Sequence, residues 1–489
     1  MFHMIKKITH LLLNEYILLT IIIFGAFGVR LYKISNPIAD WHSFRQADTA
    51  SVSRIYVEEG INLLYPRYYD VSSIQSGIPN PKGYRLVEFP IYNVIHALLA
   101  KSFPAISLEV WGRLLSITLS LISTVFIFLI GKRFLGKLGG LLAAFFFAFL
   151  PYNIYYSRVI LPEPIAVVFG LAAIWFFIKF IDKEKTFHLL FSAFWFALSL
   201  LIKPFMIFYS LPLIYLLLDK YSLAALMKNG KFLIKLTLYS AIMVTPLLLW
   251  RIWINRYPEG IPFFEWAFNG DNIRFRPAFW RWIFGERLGN LILGIWGIFP
   301  FLVGIVTKSK KYFIQFFFLS QVIYMSVVAT ASVKHDYYQI FIIPAVALAI
   351  AQGIVFLVNS EKINQWIVRF VLVFATLMMF GFSFYQVKEY YKINHPEIIA
   401  AGDVVKRLTP KDARIVAPYN GDTAFLYQMD RYGWPAVEDS FDNIIKRGAD
   451  YYVSVSFNDT DTKYILSKYQ IVEKTDSYVI ADLHKPIKK

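Results

Sequence analysis

The sequence contains no cysteine, which excludes disulfide bonds, thiolate metal sites and cysteine nucleophiles. Charge is also scarce, because charged residues make up only 17% of the 489 residues, whereas soluble domains carry roughly 25%. Hydrophobic residues reach 57% and aromatic residues 18%, and a chain this apolar is not intrinsically disordered. These proportions are typical of a membrane protein and not of a soluble enzyme.

The formal net charge of +17 is unevenly distributed. Residues 385–489 contain 15 basic and 15 acidic residues, so the whole excess lies in the hydrophobic part of the chain. Lysine and arginine in the loops of such a part set its orientation in the membrane. A nucleic-acid-binding protein would need a basic stripe on a soluble face, and the sequence shows none. We therefore expect membrane lipids, and no nucleic acid, as partners.

Long apolar stretches recur along the first 384 residues. A helix that crosses the hydrocarbon core needs about 20 predominantly apolar residues. Eleven stretches approach this length and predict about 11 transmembrane helices. They are Leu11–Val29, Leu114–Ile130, Leu138–Tyr156, Pro162–Phe180, Thr186–Leu201, Pro204–Leu218, Ile234–Ile254, Leu288–Val306, Tyr312–Ser332, Tyr337–Val358 and Phe370–Phe384.

The short connections alternate in charge. Every second one is rich in lysine, which predicts that these connections and the N-terminus are cytoplasmic. With eleven spans, the C-terminal tail is then outside, and the protein is a multi-pass plasma-membrane protein. The basic residues that support this orientation are Lys6, Lys7, Lys132, Arg133, Lys137, Lys183, Lys185, Lys220, Lys228, Lys231, Lys308, Lys310 and Lys311.

The outer connections and the tail have structure of their own. In the first outer loop, residues 30–113, helical spacing of apolar residues predicts surface helices at Thr49–Glu59 and Ile91–Phe103. We therefore predict an all-α transmembrane domain over residues 1–384 and a small extracytoplasmic α/β domain over 385–489. Its predicted elements are helices at Pro396–Leu408 and Asp422–Met429, strands at Arg414–Pro418 and Tyr451–Ser456, and a strand pair within Ile471–Leu483.

The polar residues that need explanation cluster at the outer ends of the spans. Ionisable residues in mid-membrane would mark an ion or proton path, and the spans are nearly free of them. An active site on the outer face, supplied with a lipid-embedded substrate, fits this distribution better. Such a site needs a carboxylate as base and cations that hold a lipid phosphate.

Several motifs at these outer ends resemble those of the GT-C membrane glycosyltransferases. An acidic outer loop directly after the first span is the hallmark of that class. The sequence is similar to its protein-mannosyltransferase/aminoarabinose-transferase branch, glycosyltransferase family 39, over roughly residues 10–360. The motifs are ADWHSFRQADTA at residues 39–50, Val87-Glu88-Phe89-Pro90, Trp111-Gly112-Arg113-Leu114, Tyr155-Tyr156-Ser157-Arg158 followed by Pro162-Glu163-Pro164, and Lys334-His335-Asp336-Tyr337-Tyr338.

The resemblance implies the GT-C fold and an inverting transfer of a sugar from a polyprenyl-phosphate carrier. The acceptor is a hydroxyl of a protein, of lipid A or of a polysaccharide, on the outer side of the membrane. The first-loop carboxylate acts as general base, and we assign this role to Asp40. Relatives show Asp-Glu at this motif, whereas Trp41 follows Asp40 here, so Asp48 is a rival. Glu163 is the third catalytic candidate.

The resemblance also implies a set of substrate-binding residues. In the lipid A branch the second motif carries a lysine where this chain has Phe89, so Lys82 or Arg85 would have to meet the phosphate instead. Arg158, Lys203 and His335 are the main phosphate candidates. The full predicted set is His42, Arg45, Arg85, Glu88, Arg158, Lys203, His335, Tyr337 and Tyr338.

Each candidate has an ordinary structural interpretation as well. Asp40 and Asp48 would each make a good N-cap for a helix that follows them. Glu163 would stabilise a helix start through the helix dipole. Arg158 would be a snorkelling arginine or the ion-pair partner of Glu163. His335 would belong to an interfacial aromatic belt.

A metal site has weak support. No pair of histidines has ligand spacing, and Asp40 with Glu163 would give two carboxylates where a divalent cation takes about six ligands. We predict no metal ligand and no firm cofactor, although a divalent cation is possible. Two other functions fit the same composition. One is a carrier or flippase that moves lipid-linked sugars without breaking a bond, and the other is a membrane scaffold.

Overall fold

The computed structural model describes residues 14–487, and the chain divides into two compact units. The helical unit comprises Met1–Ile34, Leu114–Trp250 and Phe264–Glu389. The mixed unit comprises Ser35–Arg113, Arg251–Phe263 and Tyr390–Lys489. The mixed unit thus joins most of the predicted first outer loop to the predicted tail domain.

Helices dominate the described residues. In chain order they are α1 Glu15–Arg30, α2 Ser43–Glu59, α3 Ile91–Ser102, α4 Leu108–Phe149, α5 Pro151–Tyr156, α6 Glu163–Lys183, α7 Thr186–Ile202, α8 Leu211–Lys220, α9 Leu223–Lys228, α10 Gly230–Ile254, α11 Trp266–Asn269, α12 Pro277–Trp280, α13 Ile298–Val306, α14 Phe313–Val327, α15 Ala329–Lys334, α16 Ile343–Val358, α17 Gln365–Val387, α18 Pro396–Leu408, α19 Ala424–Met429, α20 Phe441–Lys446 and α21 Thr460–Lys468. Short 3₁₀ helices cover Pro204–Ser210, Pro258–Gly260, Gly270–Phe275, Asp336–Ile342 and Lys388–Tyr391, and a π-helix covers Arg281–Ile292.

The predicted spans coincide with these helices. Among residues 14–487, five helical stretches are long and apolar enough to cross a membrane, and two shorter ones, α7 and α14, are also apolar. The all-helical membrane architecture is therefore confirmed, while the number of eleven spans stays a prediction. Residues 11–13 of the first predicted span, like Lys6 and Lys7, lie outside the described residues. The long stretches are Leu108–Phe149, Glu163–Lys183, Gly230–Ile254, Asp336–Val358 and Gln365–Leu408.

The second and third predicted spans are the two arms of α4. Gly136 interrupts this helix with φ 80° and ψ −176°, a conformation that only glycine adopts readily. The arms then pass each other closely, because a Cβ on Gly131 would lie 3.0 Å from the Cα of Gly140. The predicted basic loop between the two spans corresponds to this break.

The mixed unit contains a five-stranded sheet. Its strands are β1 Ile415–Val416, β2 Gly433–Trp434, β3 Tyr451–Ser454, β4 Tyr469–Lys474 and β5 Val479–Pro486. They lie in the order β2-β1-β3-β5-β4. β1 pairs in parallel with β2 and β3, whereas β5 runs antiparallel to β3 and β4. The register places Tyr452 opposite Ala481.

A segment of the first loop continues this sheet. The N–H of Val71 donates to the carbonyl of Gly433 over 2.9 Å, and the N–H of Gly433 donates to that of Tyr69 over 2.9 Å. Val71 also packs in the same buried cluster as Val416 and Trp434. The loop and the tail therefore share one hydrophobic core.

The predicted elements of these segments are confirmed with shifted ends. The helix at Pro396–Leu408 has the predicted bounds, and the two surface helices appear as α2 and α3. The helix expected at Asp422 begins at Ala424. β2, α20 and α21 are not among the predicted elements, because two to nine residues give too short a pattern to recognise.

In the helical unit, α13 and α16 cross with their backbones in close contact. A Cβ on Gly304 would lie 1.8 Å from the carbonyl oxygen of Ala349, and one on Gly353 would lie 1.9 Å from that of Pro300. Small residues allow such an approach between apolar helices, where van der Waals packing replaces the hydrophobic effect.

We predict that Gly304→Ala destabilises the protein by about 2 kcal/mol or more, because the added methyl group forces the helices apart. Thermal unfolding in detergent measures this loss. Gly381→Ala in α17 is the matched control, because no described atom beyond its chain neighbours and the nearby backbone of its own helix lies within 4 Å of the added methyl group. An unchanged unfolding temperature for Gly304→Ala would contradict the described crossing.

Candidate functional site

Asp40 lies at the start of the mixed unit, next to a polar cavity. Its side chain is buried, with 4% of the residue exposed, and Oδ1 accepts a hydrogen bond of 2.6 Å from Nε2 of Gln46. The adjoining cavity has a volume of about 270 Å³. The N-cap residue of helix α2, which begins at Ser43, is His42, with a φ of 54° and no capping hydrogen bond from its side chain. The interpretation of Asp40 as an N-cap is therefore wrong.

Asp48 lies inside α2, so the interpretation as an N-cap is wrong for this residue too. Its two carboxylate oxygens have strong partners. Oδ2 lies 2.7 Å from Nη2 of Arg85, and Oδ1 accepts a hydrogen bond of 2.7 Å from the hydroxyl of Thr423. Both carboxylate oxygens of Asp48 are therefore engaged by side chains of the mixed unit.

Three further predicted residues lie in the same unit. Arg45 and Glu88 form an ion pair with each other, and both side chains are nearly buried. His42 contacts the rings of Trp41 and Phe44 edge to face. The structure thus brings the first-loop motif and the Glu88 motif together, as helices α2 and α3 pack against each other.

Two carboxyl groups near Asp48 have raised pKa values. Burial raises the pKa of Asp422 to about 6, and the charge of Asp48 adds to this rise. Burial likewise raises the pKa of Asp70 to about 6, although the hydrogen bonds from Ser72 act to lower it. Neither residue is in the predicted set, because nothing in the sequence links them to the first loop.

Glu163 begins α6 in the helical unit and has 1% of its surface exposed. Its Oε1 lies 2.8 Å from Nζ of Lys203, so two predicted site residues form one buried ion pair. The alternative in which Arg158 pairs with Glu163 is therefore wrong. Glu163 also keeps the position in the first helical turn that the helix dipole favours.

Arg158 is fully buried within the helical unit. Its Nη2 donates to the carbonyl of Lys33 over 2.7 Å, and its guanidinium lies over the ring of Tyr155. An arginine that snorkels to the membrane surface would be exposed, so that interpretation is wrong as well. Arg30, which is also buried, donates to the hydroxyl of Ser157 over 2.7 Å.

His335 and its neighbours form an aromatic cluster in the same unit. The imidazole stacks on Tyr337 at 5.4 Å between centroids and meets the edge of Trp266 at 5.7 Å. Tyr337 in turn stacks on Tyr338 at 4.8 Å. The predicted residues His335, Tyr337 and Tyr338 are thus adjacent in space.

Asp336 is a buried residue of this segment that lies outside the predicted set. Tyr152 donates to its carbonyl oxygen over 2.6 Å, and Tyr156 donates to its Oδ1. Arg287 Nη1 lies 3.7 Å from the other carboxylate oxygen. Asp336 therefore connects the 3₁₀ helix that it begins with α5 and with the π-helix Arg281–Ile292.

Comparison with known proteins agrees with the motifs. The model of the dolichyl-phosphate-mannose-protein mannosyltransferase family matches residues 90–250. No curated protein sequence matches the chain. Among solved structures, ArnT from Cupriavidus metallidurans bound to undecaprenyl phosphate has a TM-score of 0.64 at 12% identity, over 96% of this chain and 98% of that one.

Two further structures are similar. ArnT from the same organism in the apo state gives a TM-score of 0.63 at 12% identity, over 96% of this chain and 97% of that one. The oligosaccharyltransferase of Archaeoglobus fulgidus in complex with Zn and sulfate gives 0.56 at 11% identity, over 92% of this chain and 69% of that one. The chain has the GT-C fold. The resemblance inferred from the motifs is confirmed.

Within this GT-C fold, the predicted site residues are distributed over both units. The mixed unit holds Asp40, His42, Arg45, Asp48, Arg85 and Glu88, and the helical unit holds Arg158, Glu163, Lys203, His335, Tyr337 and Tyr338. Over residues 14–487, no group of three or more His, Asp or Glu side chains could hold a metal ion. Glu163 is instead paired with a lysine, and Asp40 with an amide.

We predict that Asp422→Asn stabilises the protein above pH 6 by up to about 3 kcal/mol, the equivalent of a shift of about two pKa units. The folded pKa lies above the unfolded value near 4, so the wild-type free energy of unfolding falls as pH rises from about 4 to about 6. In the Asp422→Asn variant the free energy of unfolding does not decrease in this way, because the asparagine does not titrate. Unfolding temperatures from pH 4 to 8 measure the difference.

Asp439→Asn is the control of opposite sign. A hydrogen bond from Asn443 lowers the pKa of Asp439, so the substitution reduces stability at neutral pH, and this loss becomes smaller as pH falls below about 4. An Asp422→Asn variant that is less stable than wild type at pH 7 would contradict the described environment of this carboxyl group.

Proposed function

We propose that the protein is a glycosyltransferase that moves a sugar from a polyprenyl-phosphate carrier to an acceptor hydroxyl outside the plasma membrane. The observation that carries the proposal is the buried carboxylate of Asp40 beside a polar cavity. The match to a mannosyltransferase family and the fold shared with an ArnT that binds undecaprenyl phosphate support it.

The proposed reaction is a single displacement. The acceptor oxygen attacks the anomeric carbon while its proton passes to the carboxylate of Asp40. The bond between that carbon and the phosphate oxygen breaks, and the polyprenyl phosphate leaves with the electron pair. Attack from the face opposite the phosphate inverts the anomeric configuration.

The contacts of the two first-loop aspartates decide which one we propose as base. Asp48 has both oxygens bound, by Arg85 and by Thr423. Asp40 lines the cavity, and the amide of Gln46 holds its Oδ1 in a fixed orientation. We therefore propose that Asp40 takes the proton and that Asp48 holds Arg85 and Thr423 in place.

In the helical unit, we propose that Lys203 and His335 contact the phosphate of the donor, with Arg158 as a further cation. The ion pair with Glu163 fixes the ammonium of Lys203, and the aromatic cluster fixes the imidazole of His335. Charge-assisted hydrogen bonds of this kind stabilise a phosphate as its negative charge grows.

The distribution of charge favours an enzyme over a carrier. In α6 the charged residues are confined to the ends, and α16 contains none. A carrier of a charged lipid would place polar residues along its path through mid-membrane.

We predict that Asp40→Asn lowers the rate of sugar release or transfer by about 10²- to 10⁴-fold, because the amide cannot accept the proton. Purified protein in lipid, incubated with a panel of radiolabelled polyprenyl-phosphate sugars, provides the assay. The substitution keeps the oxygen that accepts from Gln46, so the unfolding temperature should not change.

Two comparisons accompany this test. Asp403→Asn, an exposed position in α18, is the matched control and should retain full activity. An active Asp40→Asn together with an inactive Asp48→Asn would assign the base to Asp48 instead. Movement of an intact donor across the bilayer without bond cleavage would establish the carrier. Addition of a chelator tests the possible divalent cation.

A further inference from the structure

The cavity beside Asp40 is built from two distant parts of the mixed unit. Residues 39–43 of the first loop form one wall. The other wall comes from two tail segments, one before and within α18 and one after β1. The tail residues that line it are Asn394, His395, Ile398, Tyr419, Asn420 and Asp422.

The chemistry of the lining disfavours a lipid phosphate as occupant. None of the described residues that line the cavity is a lysine or an arginine, and its two histidines, His42 and His395, are accompanied by two carboxyl groups, Asp40 and Asp422. A prenyl or acyl chain does not fit either, because among the described residues of this lining Ala39 and Ile398 alone are aliphatic.

The lining instead suits a neutral ligand with many hydroxyl groups. Carboxylates accept hydrogen bonds from hydroxyls, and the amides of Asn394 and Asn420 both donate and accept. The rings of Trp41 and Tyr419 offer flat apolar faces to the C–H groups of a sugar. A cavity of about 270 Å³ is also near the lower limit of small-molecule pockets, as a site for one sugar residue would be.

Both walls are held in place before any ligand binds. The indole of Trp41 stacks on Tyr390 at 5.0 Å with an interplanar angle of 8°, and the backbone N–H of Trp41 donates to the carbonyl of Tyr390. On the tail side, Asn420 and Gly421 both have positive φ, 54° and 76°. The N–H groups of Tyr419 and Gly421 donate to the carbonyl of Pro435 and fix this turn.

We propose that this cavity binds a sugar residue of the acceptor and presents one of its hydroxyl groups to Asp40. The acceptor is then a carbohydrate, either free or on a lipid, and not a serine or threonine of a protein. The inference rests on the proposed transferase function and names the acceptor class of that same site. It also gives the tail a role in choosing the acceptor.

The test uses a variant that removes the tail amides and leaves the backbone unchanged. In Asn394→Ala/Asn420→Gly the glycine retains the positive φ of residue 420. Asn272→Gly is the matched control, because Asn272 is also exposed and has a φ of 53° but lies in the helical unit. Neither variant alters a proposed catalytic residue.

Saturation-transfer NMR with full-length protein in lipid nanodiscs measures binding of methyl glycosides of hexoses and N-acetylhexosamines. At least one glycoside should bind to wild type, with affinity about tenfold lower in the double variant and unchanged in Asn272→Gly. Hydrolysis of the donor in the absence of acceptor should be equal in wild type and Asn272→Gly. In transfer assays, a short oligosaccharide and lipid A separate a free from a lipid-linked sugar acceptor.

Several results would overturn the inference. They are the absence of binding by any glycoside, equal binding by the double variant, and transfer to a serine- and threonine-containing peptide in place of saccharides. Donor hydrolysis without saccharide binding would contradict the proposed acceptor site and support the proposed transferase function. Saccharide binding without donor cleavage by wild type would contradict the transferase function and support the saccharide site.

Discussion

A chain that crosses lipid cannot hydrogen-bond its backbone to water, and this constraint shapes the whole molecule. The long apolar segments satisfy their backbone groups internally by forming helices, which leaves polar chemistry to helix ends and connections. The helices pack through small residues, as at Gly304 and Gly353. Glu163 and Lys203, which are buried in the helical unit, form an ion pair. The same constraint explains why Asp40 lies in a connection and Glu163 at the first residue of α6.

The mixed unit depends on contacts between segments that are remote in sequence. Thr423 and Asp48, which share a hydrogen bond, are 375 positions apart. The first loop extends the tail sheet at Gly433 and packs Val71 into its core. Neither segment alone would enclose the cavity beside Asp40. The contact between the two segments also raises the pKa of Asp422, because the carboxyl group is buried against the first loop.

Local pattern was sufficient to predict the long helices, since period and length identify an apolar span or the amphipathic helix α18 without knowledge of tertiary contacts. The motifs also directed attention to Asp40, Asp48, Arg45 and Glu88, which the structure places in one unit. The partners of these residues could not be predicted. Gln46, Thr423 and Asp422 carry no pattern of their own, and β2 has two residues, too few for an alternation. Pairing in such a unit is decided by packing between distant segments.

The most direct test of the central claim is a cryo-EM structure of the protein with a non-transferable polyprenyl-phosphate sugar and a saccharide acceptor. The account predicts an acceptor hydroxyl oxygen about 3 Å from the carboxylate of Asp40, within reach of the anomeric carbon. An acceptor bound elsewhere, with its reacting oxygen at Asp48 or Glu163 and the cavity at Asp40 empty, would contradict it.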